Sequence, residues 1–199
     1  MSIPTQTHPN QAQYWEQRYL QNETGWDMHQ VSPPLKNYID TIEDKNINIL
    51  IPGCGNAYEA QYLWELGFKN ITLIDIAETP VKRLQEKFAH QPIQIFHQDF
   101  FIHQGSYQLI LEQTFFCAID PLLRPAYAEK CAQLLAPAGI LAGLLFNTEF
   151  EKEGPPFGGH QKEYRKYFEP YFKFLQFDVC TTSIPPRMGK ELFIMLQKK

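Results

Sequence analysis

The segment from Asn46 to Asp75 constrains the fold more than any other part of this sequence. Its β-branched run Ile47 to Ile51 predicts a strand, the sequence PGCGN predicts a tight turn, and Ala57 to Leu66 has a helical pattern. The apolar run Ile71 to Ile74 predicts a second strand that ends at Asp75. We therefore predict a βαβ unit with a glycine-rich turn after its first strand and an acid at the end of its second.

Such a unit binds a nucleoside at its strand ends. The glycines allow a close approach of the backbone, and the carboxylate of Asp75 can hold a ribose diol. The dinucleotide fingerprint needs a third small residue at position 58, where this sequence has Tyr58. Reduction with NAD is therefore disfavoured, and 199 residues leave no room for a separate catalytic domain.

The composition narrows the choice of partner. The formal charge of −4 and the absence of a long Lys/Arg run argue against a nucleic acid, and no apolar run approaches the roughly 20 residues of a membrane span. The polar start MSIPTQTHPNQAQ has no signal-peptide core. We expect a cytoplasmic protein with a small-molecule substrate and no membrane partner; the oligomeric state stays open, with a monomer favoured.

The four cysteines, Cys54, Cys117, Cys131 and Cys180, are scattered without a CxxC pair. This spacing favours small buried side chains over a disulfide framework or a zinc site, and we expect no metal. Cys117 has aromatic and aliphatic neighbours that should raise its thiol pKa, so we expect a core thiol there and not a nucleophile.

The rest of the chain alternates helical and extended patterns. Ser32 and Pro33 predict a helix N-cap and first turn, and Pro137 to Gly139 predict a turn. The further predicted helices are Asn10 to Gln21, Leu35 to Ile42, Glu78 to Ala89, Arg124 to Leu135 and His160 to Phe168, and the further strands are Ile93 to Phe96, Tyr107 to Leu111, Ile140 to Phe146, Tyr171 to Thr182 and Glu191 to Leu196.

Two motifs carry a resemblance to a known family. The run YWEQRYLQNETGWDMHQVSPPL, followed by PGCGNAYEAQYL, resembles the thiopurine S-methyltransferases and their relatives, the plant-type thiol and halide methyltransferases. The resemblance implies S-adenosylmethionine as cofactor and an α/β, Rossmann-like class I methyltransferase fold. That fold has a mostly parallel seven-stranded sheet, helices on both faces and a C-terminal antiparallel hairpin. It further implies one domain, 1–199, in which 1–45 is a helical flap over the cofactor and 46–199 is the Rossmann-like core.

The resemblance also implies which residues bind the cofactor. The flap contributes Trp15, Tyr19 and Trp26, and Asp99 matches the acid that family members place near the adenine amino group. A sulfonium over the Trp26 indole would gain roughly 0.5 to 2 kcal/mol, although Trp26 could instead only pack the loop against the core. Asp99 could likewise be only a turn former or helix cap. The remaining predicted cofactor-binding residues are Gly53, Cys54, Gly55, Asp75, Ile76, Phe100, Glu112 and Gln113.

The acceptor is predicted to bind at the end of the fourth strand. The run TFFCAIDP resembles the thiol/halide branch of the family, and Phe115, Phe116 and Phe157 are predicted to form apolar walls. Arg187, at the tip of the C-terminal hairpin, could orient an anionic acceptor or be an exposed structural arginine. The Pro/Gly-rich stretch 151–159 could be a lid or a plain connection.

No constellation of a general base with a partner is evident in the sequence, since Glu112 is the only acid at the fourth strand end. A thiol needs little activation, so a soft nucleophile suits this site. We therefore predict an S-adenosylmethionine-dependent methyltransferase acting on a small thiol, with no catalytic residue assigned. The alternatives are a halide, oxygen or nitrogen acceptor, because the fold does not determine the acceptor, or a non-catalytic S-adenosylmethionine-binding protein.

Overall fold

The computed structural model describes residues 9–199, so residues 1–8 of the predicted flap lie outside the described residues. The described elements, in chain order, are α1 (Pro9–Leu20), α2 (Pro33–Asp40), β1 (Asn48–Pro52), α3 (Tyr58–Glu65), β2 (Asn70–Asp75), α4 (Glu78–Lys87), β3 (Gln94–His97), β4 (Tyr107–Gln113), α5 (Arg124–Leu134), β5 (Leu135–Phe146), α6 (Gln161–Phe168), β6 (Phe172–Val179) and β7 (Glu191–Lys198).

The strands form one seven-stranded sheet in the order β3-β2-β1-β4-β5-β7-β6. Strands β1 to β5 pair in parallel, and β7 lies antiparallel between β5 and β6. The predicted fold class is confirmed, including the antiparallel C-terminal hairpin. Because the chain order reverses between β1 and β4, a crevice forms at their carboxyl ends, where open parallel sheets bind ligands.

Both faces of the sheet are covered by helices. Apolar residues of α2, α3 and α4 pack with the sheet in one buried cluster, which includes Leu35, Leu63 and Leu84. The second cluster includes Tyr127 of α5 and Phe168 of α6. Strand β1 is buried along four of its five residues, in keeping with a central parallel strand.

Two local predictions were wrong. Residues 137–139 were predicted as a turn, but they lie inside β5, where the pairing with β4 shifts register between Tyr107 and Leu109. The extra residues are accommodated as a bulge, with Ala138 at φ +59°. Ser32 precedes α2 and Pro33 begins it, but the Ser32 side chain makes no capping hydrogen bond.

The segment 9–199 contains no helix that combines the length and apolarity needed to cross a bilayer. All four cysteines are free and buried. Burial raises the pKa of the Cys117 thiol, which donates to the Thr114 carbonyl at 3.0 Å. Cys117 is buried, as predicted, and it also borders the cavity at the carboxyl ends of the strands.

A buried carboxylate connects β4 to α5. Glu112 has no exposed surface, accepts from the Phe116 backbone N–H at 2.9 Å and accepts from the Tyr127 hydroxyl at 2.6 Å. Burial raises the Glu112 pKa to about 7 from its ordinary 4.5, although both hydrogen bonds oppose the rise. Glu112 therefore serves the packing of the sheet against α5.

This buried acid predicts a pH dependence of stability. The folded protein binds the Glu112 proton more tightly than the unfolded chain does. Protonation of Glu112 therefore stabilises the folded state most below pH 4.5, and this stabilisation is lost as pH rises to about 7. Glu112→Gln mimics the protonated acid. We expect the stability of this variant relative to wild type to rise by roughly 3 kcal/mol between pH 4 and pH 8, measured by urea unfolding.

The exposed Glu86, on α4, provides the control for this measurement. Glu86→Gln should show no comparable change relative to wild type across the same pH range. A constant difference between wild type and Glu112→Gln at all pH values would contradict the assignment of a raised pKa to Glu112.

Candidate functional site

A cavity of about 310 Å³, here called the main cavity, opens at the carboxyl ends of β1, β2 and β4 beneath α1. Most of the predicted site residues line it: Trp15, Tyr19, Trp26, Gly53, Asp75, Ile76, Asp99, Phe100, Phe115 and Arg187. The sequence reasoning missed other lining residues, among them Gln11, Tyr14, Arg18, Gln98, Phe101, Thr114, Ala118, Ile119, Phe146, Phe150, Pro155 and Pro156.

The glycine-rich turn brings the backbone to the cavity wall. Gly53 and Gly55 have φ values of +56° and +50°, and Ala57 has φ +52°. A Cβ on Gly53 would lie 2.4 Å from a ring carbon of Phe115. Only glycine avoids both the left-handed strain and this overlap at position 53. Ala57 adopts the same left-handed conformation immediately before α3.

Asp75 ties the turn to the second strand. One carboxylate oxygen accepts from the Gly55 N–H and the other from the Ala77 N–H, each at 2.9 Å. Burial raises the Asp75 pKa, and these backbone bonds oppose the rise. Two bonds leave part of the acceptor capacity of a carboxylate unused, and Asp75 lines the main cavity, so it can accept hydrogen bonds from a diol.

The three predicted flap rings, Trp15, Tyr19 and Trp26, line the main cavity together with Tyr14. The Trp26 ring meets Trp15 and Tyr19 edge to face, with centroids 5.3 and 5.6 Å apart. Tyr19 is buried, and its hydroxyl lies 3.0 Å from where a Cβ on Gly55 would stand. Trp26 therefore packs within the flap and also lines the cavity, where aromatic faces attract a cation.

The flap is held against the core by hydrogen bonds. The Glu16 carboxylate accepts from the backbone N–H of Thr79 at 2.9 Å and from the Thr79 hydroxyl, at the first turn of α4. The Asp27 carboxylate accepts from the Asn56 amide at 2.6 Å and from the Tyr58 hydroxyl at 3.2 Å. Tyr58 stands where a dinucleotide-binding turn needs a small residue. In this structure its hydroxyl helps to attach the flap to the core.

Arg187 joins the flap to the C-terminal hairpin. Its guanidinium donates to the Trp26 carbonyl at 2.9 Å and pairs with Glu191 at 3.4 Å. Its side chain is only 12% exposed and lies over the Phe146 ring. The alternative of an exposed structural arginine is therefore wrong, and Arg187 is a cation in the wall of the main cavity.

The end of β4 borders a side pocket of about 60 Å³, which also contacts Cys54 and Gly55. Gln113 lines this side pocket, and both the nitrogen and the oxygen of its side-chain amide are buried without a partner in the described part of the chain. Thr114, the next residue, has φ +63°, a strained value for a β-branched residue. A buried amide costs free energy until it is paired, so this pocket fits a polar ligand group.

Glu112, Phe116 and Phe157 do not line the main cavity. Glu112 lies in the core, as does Phe116, which is 1% exposed and packs against Tyr127, Tyr164 and Phe168. Phe157 contributes its backbone, which donates to the Cys117 carbonyl at 2.7 Å and accepts from Arg124 at 3.1 Å. Pro155 and Pro156 line the cavity in its place.

Asp99 has two contacts that matter. One carboxylate oxygen accepts from the Phe101 N–H at 2.9 Å and caps a short 3₁₀ helix, Phe100–Ile102, so the predicted capping role is confirmed. The same side chain lines the main cavity. Asp99 can therefore cap the helix and accept a hydrogen bond from a ligand.

Together these groups fit a nucleoside that carries a cation and a polar tail. Asp75 suits the ribose, the three flap rings suit the cation, and the unpaired Gln113 amide suits the tail. The wall of the main cavity also includes the apolar rings of Phe115, Phe146 and Phe150 and the cation Arg187.

Sequence comparisons agree with this geometry. The family model described as thiopurine S-methyltransferase matches residues 10–192. The probable thiol methyltransferase 2 of Arabidopsis thaliana is 30% identical over 189 residues, covering 92% of this chain and 83% of that protein. Thiocyanate methyltransferase 1 of the same plant is 27% identical (89% and 81% covered), and the thiopurine S-methyltransferase of Vibrio campbellii is 27% identical (80% and 82%).

Solved structures share the fold at low sequence identity. The 1,6-didemethyltoxoflavin-N1-methyltransferase of Burkholderia thailandensis, solved with S-adenosylhomocysteine, has a TM-score of 0.77 at 13% identity and covers 100% of this chain and 93% of that one. A TehB-like methyltransferase from Corynebacterium glutamicum has a TM-score of 0.68 at 14% identity (96% and 100% covered). The chain belongs to the thiopurine S-methyltransferase family and is an S-adenosylmethionine-dependent methyltransferase.

Proposed function

We propose that this enzyme methylates a small, soft nucleophile, with a thiol as the preferred acceptor. The wall of the main cavity carries the proposal, because it combines the Asp75 carboxylate and an aromatic cluster with the rings of Phe115, Phe146 and Phe150 and the cation Arg187. We assign the cofactor to the first of these groups and the acceptor to the second, here called the acceptor end. An apolar wall with one cation suits a soft nucleophile that is easily desolvated.

The relatives support this choice of acceptor. Those reported above are named for thiols, thiocyanate and thiopurines, and each of these acceptors presents sulfur. We infer that the acceptor of this chain is likewise a small molecule and not a nucleic acid or a membrane component. We also propose a cytoplasmic location, which the free thiols of the chain support because oxidising compartments favour disulfides.

Each of the proposed site residues has a separate role in the reaction. S-Adenosylmethionine, when bound, supplies a methyl group that passes to the acceptor sulfur in an in-line displacement, while the sulfonium sulfur takes the electron pair of the broken bond. Asp75 holds the ribose, and Trp15, Tyr19 and Trp26 face the cation. Phe115 keeps the acceptor end dry, so that positioning and desolvation provide most of the acceleration.

The acids of the site support a thiol over an oxygen or nitrogen acceptor. Within residues 9–199, the carboxylates in the wall of the main cavity are Asp75 and Asp99, and each already accepts backbone hydrogen bonds. Glu112 is fully engaged in the core. A thiol is a few per cent thiolate near neutral pH and loses its proton to solvent, so it needs no such base.

A soft anion such as thiocyanate or a halide is the second candidate. The observation that favours it is Arg187, a largely covered cation in the cavity wall whose guanidinium can face an anion. A halide needs no deprotonation at all. Thiol and anion methylation therefore differ in this site only in how much they depend on Arg187.

We further propose that the chain forms one methyltransferase domain, with 1–45 as the flap over the cofactor. The bonds from Glu16, Asp27 and Trp26 to the core support this division. The stretch 151–159 is proposed to cover the acceptor end, since Pro155 and Pro156 line the main cavity while the buried Arg124 holds the following backbone.

Asp75→Asn tests the cofactor end. The variant keeps the shape of the side chain but loses the charge-assisted bonds to the ribose. Because its amide nitrogen cannot accept, it also loses one of the two backbone bonds to Gly55 and Ala77, so S-adenosylmethionine affinity by calorimetry should fall about ten- to a hundredfold. Asp44 accepts a backbone N–H two residues on, as Asp75 does, but at an exposed position, so Asp44→Asn is the matched control. Unchanged affinity in Asp75→Asn would remove Asp75 from the ribose site.

A panel of acceptors tests the reaction itself. The enzyme is incubated with methyl-labelled S-adenosylmethionine and, separately, an aryl thiol, an alkyl thiol, hydrosulfide, thiocyanate, iodide, a phenol and an amine. We expect label in the thioether products first, with Asp75→Asn as the low-activity control. Label only in the amine or the phenol would refute the soft-acceptor assignment, and cofactor binding without any labelled product would indicate a non-catalytic binding protein.

A further inference from the structure

Arg124 is the largest fully buried side chain in residues 9–199, and the reaction described above gives it no role. It begins α5 and is 1% exposed. Its guanidinium carbon lies 4.9 Å from the centroid of the Phe116 ring and 5.2 Å from that of the Tyr164 ring. Burial of a cation costs free energy unless the cation is paired, so a guanidinium in this place needs partners.

The close partners of Arg124 are backbone carbonyls. Its Nη1 lies 3.7 Å from the carboxylate of Glu163, whose side chain is 40% exposed, and its Nε has no partner in the described part of the chain. Nη2 donates to the carbonyl of Phe157 at 3.1 Å and to that of Gly158 at 2.9 Å. This nitrogen carries two hydrogens, so both bonds can form at once.

The backbone that Arg124 holds is one end of a closed loop, residues 149–158, here called the acceptor loop. The Gly159 N–H donates to the Thr148 carbonyl at 2.9 Å, and these two flanking residues form an isolated antiparallel bridge. A Cβ on Gly158 would lie 2.1 Å from the same carbonyl oxygen, so glycine is needed for this close approach. The ends of the acceptor loop are thus paired, and Pro155 and Pro156 within it line the main cavity.

Phe157 connects the acceptor loop to the cavity wall. Its N–H donates to the Cys117 carbonyl at 2.7 Å, while its own carbonyl accepts from Arg124. Cys117 borders the main cavity, and Phe157 directly follows Pro156. The backbone next to the two prolines is therefore held from both sides. Arg124 does not itself line the main cavity, so it can affect a bound acceptor only through the loop.

We propose that Arg124 is a positioning residue for the acceptor, which holds the acceptor loop in the conformation in which Pro155 and Pro156 cover the acceptor end. The proposal rests on the proposed function, which assigns this loop to the acceptor. The residues assigned to the cofactor lie on other elements, namely the flap, the turn after β1 and the end of β2. Loss of Arg124 should therefore weaken acceptor binding and leave cofactor binding intact.

The size of the expected effect follows from the population of the closed loop. A ligand that binds one of two conformations has an apparent dissociation constant that rises by the inverse of the fraction in that conformation. If loss of Arg124 lowers the closed fraction to about a tenth, the acceptor KM rises about tenfold. Saturating acceptor restores the closed loop, so kcat is retained.

Steady-state kinetics with a thiol acceptor at saturating S-adenosylmethionine test the proposal. Arg124→Met keeps the apolar stem and removes the donors, so its acceptor KM should rise about tenfold with kcat within about twofold of wild type. Its affinity for S-adenosylhomocysteine, measured by calorimetry, should also stay within about twofold. Arg124→Lys keeps the charge but not the planar fork, and its KM should rise by a smaller factor, about threefold.

Two further variants separate positioning from folding. Gly158→Ala displaces the loop from Thr148 without changing Arg124, and it should raise the acceptor KM in the same way. Arg165 also packs its guanidinium over two rings, those of Phe174 and Phe177 at 4.3 and 5.4 Å, so Arg165→Met is the matched control and should keep the wild-type KM. A merely structural role of Arg124 would lower the urea midpoint and the fraction of active enzyme, but it would not move the KM of the molecules that remain folded.

An unchanged acceptor KM in Arg124→Met would overturn the proposal, and so would a rise in KM with an equal loss of S-adenosylhomocysteine affinity. If Arg124→Met does not fold, an unchanged KM in both Arg124→Lys and Gly158→Ala would overturn it. In each of these cases methylation of thiols by the wild type would stand. Wild type that methylates no soft acceptor would overturn the proposed function together with this inference.

Discussion

The hydrogen bond from the Gly55 N–H to the Asp75 carboxylate is the contact on which the site depends. It joins the turn after β1 to the end of β2, across a distance of 20 positions in the chain, and it is buried. The turn can approach this closely because Gly53 and Gly55 adopt left-handed φ values that side chains resist. The remaining acceptor capacity of Asp75 then faces the main cavity, which is why a core contact and a ligand contact can share one carboxylate.

The flap completes the cavity without belonging to the sheet. Glu16 bonds to the start of α4, and the Trp26 carbonyl accepts from Arg187 of the C-terminal hairpin. Residues from both ends of the chain therefore meet over the cavity. Arg187 lines the main cavity and also bonds the Trp26 backbone. A substitution of Arg187 would therefore alter the acceptor side of the wall and the position of Trp26 at the same time.

The sequence predicted the fold well because its informative features are local. Apolar β-branched runs, the glycine turn and the acid at the end of β2 each reflect the geometry of one element, and the family resemblance supplied the order of the whole. What it missed depends on packing between distant segments. Adjacent Phe115 and Phe116 look alike in sequence, yet one lines the cavity and the other lies in the core. The hydrogen bond between Arg187 and Trp26 joins residues 161 positions apart, so no local sequence pattern predicts it.

The central claim is that the flap rings face a sulfonium cation. It is tested most directly by calorimetry of Trp26→Leu and Trp26→Phe with S-adenosylmethionine and its neutral product S-adenosylhomocysteine. Because an aromatic face attracts a cation by roughly 0.5 to 2 kcal/mol, Trp26→Leu should weaken binding of the charged cofactor about two- to thirtyfold more than binding of the product. Trp26→Phe should retain most of this preference. Equal losses for both compounds in Trp26→Leu would contradict the claim and leave Trp26 a packing residue.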